Sequence, residues 1–182
     1  MTNYQGQYVF KKSDKTMLMW TEEGELSPDF TTISPPTADH EWQNNEWVLP
    51  KVVYLAQLAE AKSYLLHQLT DKADRFKAQI LVGYSQAEID SFYRQEREAR
   101  EWKVNNQAKT PMLSQIVESR PEIPSLAVLV EKIIEKADTF SAVMGGIIGK
   151  KQAIETQIEL AKNNEELTAC EQEIEQWQLA NH

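Results

Sequence analysis

Residues 51–82 form a run of thirty-two that contains neither glycine nor proline. The two residues that most readily end a helix are therefore absent from it. Its apolar positions Leu58, Ala61, Leu65, Leu69, Ala73, Phe76 and Ile80 step by three or four, which puts them on one face of a single long helix. The punctuation lies ahead of that run. Gly6, Gly24, Pro28, Pro35, Pro36 and Pro50 fall there, among Tyr4, Tyr8, Phe10, Trp20, Phe30, Trp42 and Trp47. Aromatic, turn-broken sequence of this kind predicts short strands. Residues 8–10 and 16–20 are expected to pair through a turn at 12–15. Residues 42–49 are expected to form two short arms around Asn44 and Asn45, since asparagine tolerates the left-handed backbone of a tight hairpin. So small a sheet buries little surface and must lean on the rest of the chain or on a partner. The expected fold is α+β, predominantly α, with an aromatic-rich β module over 1–49 and an elongated helical bundle, or coiled-coil-like helices, over 50–182.

Within the helical part, helices are expected near 50–82, 85–105, 111–119, 124–162 and 164–179. Gly83 ends the first, and Ser85-Gln86-Ala87-Glu88 has the spacing of a capping box that opens the second. That second helix has a thin face of Ile89, Phe92, Ala99 and Trp102 among mixed charges, which predicts half exposure. Thr110-Pro111 reads as a cap followed by the proline a first turn accepts. Leu126, Val130, Ile133, Ala137, Phe140, Met144 and Ile147, then Ile154, Ile158 and Ala161, alternate steps of three and four as in a coiled coil. Lys151 interrupts that seam, and residues 163–166 are either a turn or a polar stretch, so one long helix and a helical hairpin both fit. Lys72-Ala73-Asp74-Arg75-Phe76 recurs as Lys136-Ala137-Asp138-Thr139-Phe140. Binary patterning alone produces such likeness between amphipathic helices.

Chemistry is sparse. Gly145-Gly146-Ile147-Ile148-Gly149-Lys150 suggests a phosphate cradle, but three residues separate Gly145 from Gly149, no Ser or Thr follows the lysine, and the flanks are helical. Close packing of a helix on a neighbour is the expected use of these glycines, so something must pack against them. His67 and Asp71 stand four apart, without both the third and fourth ligands at helical spacing that would complete a stable site. Neither His40 nor the terminal His182 has a nucleophile in an identifiable elbow, and Cys170 falls on the apolar stripe with Leu167 and Ile174. Carboxylates are abundant and are expected on solvated helix faces. The chain is accordingly read as non-enzymatic, without metal or cofactor.

Interaction remains. A formal charge of −9 disfavours nucleic acid and anionic membranes as partners. The lone cysteine, and the absence of a basic and apolar leader, fit folding in a reducing cytoplasm. Residues 1–49 carry three lysines against eight acidic side chains, a net −5. Aromatic anchors with a polar rim carry interface energy, so Trp20, Trp42 and Trp47 are candidate partner-binding residues for a basic protein partner. The competing reading makes them the module's own small core. A second candidate surface is the rear stripe of Phe140, Met144, Ile147, Ile154 and Ile158, closing either on residues 52–82 or on another copy of the chain as a homo-oligomer.

Two stretches carry a family likeness. Pro35-Pro36-Thr37-Ala38-Asp39-His40, leading to Trp42-Gln43-Asn44-Asn45-Glu46-Trp47-Val48-Leu49, resembles the proline-rich segment and Trp hairpin of bacteriophage tail-fibre assembly proteins. Gly83-Tyr84-Ser85-Gln86-Ala87-Glu88-Ile89-Asp90-Ser91-Phe92 resembles a helical region of tail-fibre accessory proteins. Thr110-Pro111-Met112-Leu113, Lys136-Ala137-Asp138 and Ile148-Gly149-Lys150-Lys151-Gln152-Ala153 continue the likeness. The resemblance implies a chaperone that helps fibre chains trimerise or stays bound at the fibre tip, acting in the host cytoplasm during assembly or in the virion tail. The long C-terminal helices depart from the more compact C-terminal domain of that family, which raises a rival: a permanent structural component of the tail fibre or baseplate.

Overall fold

The computed structural model describes residues 2–179, and the fold is α+β, predominantly α. Strands β1 (Tyr8–Lys11), β2 (Met17–Met19), β3 (Phe30–Thr31), β4 (Glu41–Gln43) and β5 (Glu46–Val48) precede helices α1 (Lys51–Ile80), α2 (Gln86–Val104), α3 (Pro111–Ser119), α4 (Leu126–Leu160) and α5 (Asn164–Gln176). Two compact units result, Met1–Ala61 and Lys62–His182. Their boundary falls inside α1, not at the Pro50 punctuation. The first turns of α1 go with the strands, and Gln57 Nε2 there donates to Asp39 Oδ2 at 3.2 Å.

In the first unit β1 is the centre of an antiparallel sheet ordered β2-β1-β3, and β4 pairs with β5 in a separate hairpin. Asn44 and Asn45 both take positive φ, 49° and 66°, the backbone twist that lets a two-residue loop join right-handed strands. β3 escapes the sequence reading because two residues, Phe30 and Thr31, show no alternation to detect. Val9, Trp20, Thr31 and Trp47 are buried. Trp20 meets Phe30 with ring centroids 5.3 Å apart, and Trp47 meets Trp42 edge-to-face at 5.1 Å. Trp47 Nε1 also donates to the Ile33 carbonyl at 2.7 Å, tying the second hairpin to the segment after β3.

In the second unit Ala99, Leu113, Ile123, Leu129 and Val130 form a core between α2, α3 and the front half of α4. Trp102, Ile116 and Ile133 pack on it. Glu98 organises this region. Its carboxylate is buried, accepting from the Met112 and Leu113 N–H groups at 3.0 and 3.1 Å and from Arg94 Nε at 3.3 Å. This corrects two expectations. Not every carboxylate lies on a solvated face, and Thr110 makes no side-chain cap to α3: its hydroxyl bonds Ser114, so the open amides of that helix take Glu98 instead.

The rear sequence is a helical hairpin. Asn163 accepts from the Glu166 N–H at 2.9 Å and donates back to its carboxylate, starting α5 immediately after α4 ends. Ile147, Ile154 and Ile158 of α4 are buried, as are Leu167, Cys170 and Ile174 of α5 and Leu65, Leu69 and Phe76 of α1. Phe76 and Trp177 meet edge-to-face at 4.9 Å. Lys62 donates to the Glu159 carbonyl at 2.7 Å, and Lys72 donates to the Ile174 and Glu175 carbonyls. Two lysines of α1 thus satisfy carbonyls at the ends of α4 and α5, where the helix dipole favours a cation. Desolvation holds Lys72 below the usual lysine range. The recurring Lys-Ala-Asp motif has no common role, since Lys72 caps α5 while Asp138 pairs with Arg100.

Candidate partner-binding surface

The residues singled out in sequence separate sharply by environment. Trp20 and Trp47 are buried, and Trp42 is half-buried, with Lys12 Nζ 5.1 Å from its ring centroid. Ile147, Ile154 and Ile158 are buried, and Phe140 and Met144 are half-buried. The fully covered five are therefore core rather than ready contact surface. The stripe at 3.6 spacing closes within the chain because α4 folds back on α5 and both meet α1.

The glycines overturn a further expectation. A Cβ built on Gly145, Gly146 or Gly149 would meet nothing within 4 Å, so no neighbour among the described residues packs against them. Their face of α4 is open, with Ile148 half exposed beside them.

What sequence reasoning missed is the outer face of the first hairpin. Register places Tyr8 opposite Met19, Val9 opposite Leu18 and Phe10 opposite Met17. Side chains alternate across a strand, so Val9 and Leu18 share one face while Tyr8, Phe10, Met17 and Met19 share the other. Val9 is fully buried, yet Tyr8, Met17 and Met19 are 58%, 58% and 51% exposed. Three large apolar side chains thus lie together on an uncovered sheet face. The signal was available in Met17-Leu18-Met19, an uninterrupted apolar run where a half-solvated strand would alternate with polar residues. Glu22, Glu23 and Glu25 come three to six residues after the end of β2 and are exposed.

Elsewhere the chemistry is thin. A groove of about 500 Å³ between α2 and α3 includes Arg94, Met112, Ile116 and Arg120 in its lining, but both arginines are already paired, with Glu98 and Glu122. His67 is exposed, and no group of three or more His, Cys, Asp and Glu able to hold a metal occurs among the described residues. His182 lies outside the described residues. Burial, then the Glu173 charge, push the Cys170 thiol up, which disfavours the thiolate a nucleophile needs. No helix among the described residues is long and apolar enough to cross a membrane.

Comparison with known proteins bears on the hairpin. The family described as HI1402 helical domain matches residues 135–177, which take in the rear of α4, the Asn163 turn and α5. A protein of Haemophilus influenzae (strain ATCC 51907 / DSM 11121 / KW20 / Rd), described as an uncharacterized protein, is 52% identical over 68 residues, 37% of this chain and 97% of that protein. The chain belongs to that protein's family. The shared stretch makes up nearly all of the relative and just over a third of this chain, so this chain carries a large additional part. No solved structure matches.

Proposed function

We propose that this chain works by gripping another polypeptide, as an assembly chaperone for a phage tail fibre or a protein bound at the fibre tip. The observation that carries this reading is the uncovered apolar face of Tyr8, Met17 and Met19 in an otherwise acidic unit. Apolar side chains gathered on a polar-rimmed surface favour protein contact, because association removes them from water. The residue likeness to fibre-assembly proteins supports the choice of partner: its segments include the Trp hairpin β4–β5 and the capped start of α2. Such a protein would cover apolar or edge surface on fibre chains until trimerisation buries it. It would act in the host cytoplasm during assembly and would require neither cofactor nor metal.

A second reading, a permanent component of the tail fibre or baseplate, draws support from the open glycine face of α4, which packing in an assembly would close. Co-expression with the fibre chain separates the two. Fibre that is soluble only with this chain, and stays trimeric after its removal, supports the chaperone. Copurification in particles at fixed stoichiometry supports the component. A fibre indifferent to the chain in both assays would sink both.

A further inference from the structure

We infer that the point of attachment is the outer edge of β2, and that its occupant is an extended segment of the partner which adds a fourth strand to the β2-β1-β3 sheet. This rests on the reading above that the partner is a polypeptide, and it adds the mode of recognition.

The backbone specifies the occupant. Among the described residues β2 pairs with β1 alone, so its other side is an edge. Lys11 N donates to the Thr16 carbonyl at 2.9 Å, and Trp20 N donates to the Gln7 carbonyl at 2.8 Å. In an antiparallel ladder bonded and non-bonded pairs alternate. With 11–16 and 7–20 bonded, Val9 and Leu18 form the bonded pair between them, while Met17 and Met19 belong to non-bonded pairs. The N–H and C=O groups of Met17 and Met19 therefore turn away from β1. Two donors and two acceptors, repeating every second residue at about 6.8 Å, match the backbone of another strand.

Side chains and charge narrow the partner further. Edge strands are commonly guarded by lysine, proline or a bulge, and Met17-Leu18-Met19 has none of these. An incoming strand would set apolar side chains beside Met17 and Met19 at alternate positions. Glu22, Glu23 and Glu25 follow β2 with no ion-pair partner among the described residues, whereas at the other end Lys11 is paired with Asp14 and Lys15 is bonded to the Ala38 carbonyl. The occupant should therefore carry Lys or Arg at the end nearest Glu22.

Amide hydrogen exchange on the full chain tests this, alone, with the fibre chain, and with an acetylated Lys-Val-Lys-Val-Lys-Val-Lys amide as strand probe. The Met17 and Met19 amides should exchange quickly in the free protein and at least about tenfold more slowly in the fibre complex, while Leu18, already bonded to β1, changes little. Met19→Pro removes an outward N–H without removing a β1 bond, and should weaken fibre binding by about tenfold relative to Met19→Ala. Fibre that binds while Met17 and Met19 exchange at their free rate overturns the edge and leaves the functional reading standing. Fibre that does not bind overturns that reading, and the strand probe then decides: slowing at both amides upholds the edge, and none overturns it. Protection that grows with protein concentration alone would identify a second copy as the occupant and overturn the partner strand.

Discussion

Glu98 and Glu88 are both acidic residues of the second unit, and they differ in how far away their partners lie. Ser85 N donates to Glu88 Oε2 at 2.8 Å, and Glu88 N donates back to Ser85 Oγ at 3.3 Å. This capping box lies within four residues and is legible in sequence. Glu98 takes the amides of Met112 and Leu113, fourteen and fifteen residues on, and no local pattern announces that. Glu98→Ala should strip α3 of its cap and destabilise the second unit by about 2–3 kcal/mol, against about 0.5 kcal/mol or less for the exposed Glu101→Ala, read from urea midpoints. The Ser85 N–H holds the Glu88 carboxyl below its usual range. A depressed carboxyl contributes stability above its unfolded-state value and loses it as pH falls through the folded-state value. The first-turn amides of α2 should therefore lose exchange protection on acidification below the ordinary glutamate range. In Glu88→Gln that acid step should vanish.

At the scale of elements, the helices were legible because each carries a periodic apolar face, and α2 also carries a capping box at its start. The choice between one rear helix and a hairpin was not, since Lys151 and residues 163–166 fit either. Asn163 decides it by capping α5. The glycines of α4 went the other way: sequence read them as a packing contact, and the structure leaves their Cβ positions open. Gly145→Ala, Gly146→Ala and Gly149→Ala should each stabilise the isolated chain by about 0.5–1 kcal/mol in thermal or urea unfolding. Destabilisation by any of them would mean that a neighbour occupies that space. By contrast Leu113→Ala and Ile154→Ala, both fully buried, should cost about 2–5 kcal/mol each.

For the whole molecule, charge and exposure divide the work that composition only hinted at. More than half of the −9 sits in residues 1–49, with Tyr8, Met17 and Met19 uncovered. The rear stripe, by contrast, is largely spent on the chain's own core. Trp20 and Trp47 attracted a binding role in sequence because large aromatics in a small module look surplus; folding buries them against Phe30 and Trp42, and Trp47 also reaches the Ile33 carbonyl fourteen residues back. The patch that remains was hidden in a three-residue strand whose register only the fold supplies. The most direct test is the affinity of the fibre chain for Met17→Lys/Met19→Lys, with Val104→Lys as a control at an exposed site on the second unit. Attachment through this face predicts a loss of at least about tenfold, ~1.4 kcal/mol, for the double variant and none for the control. Equal binding by all three proteins would contradict it.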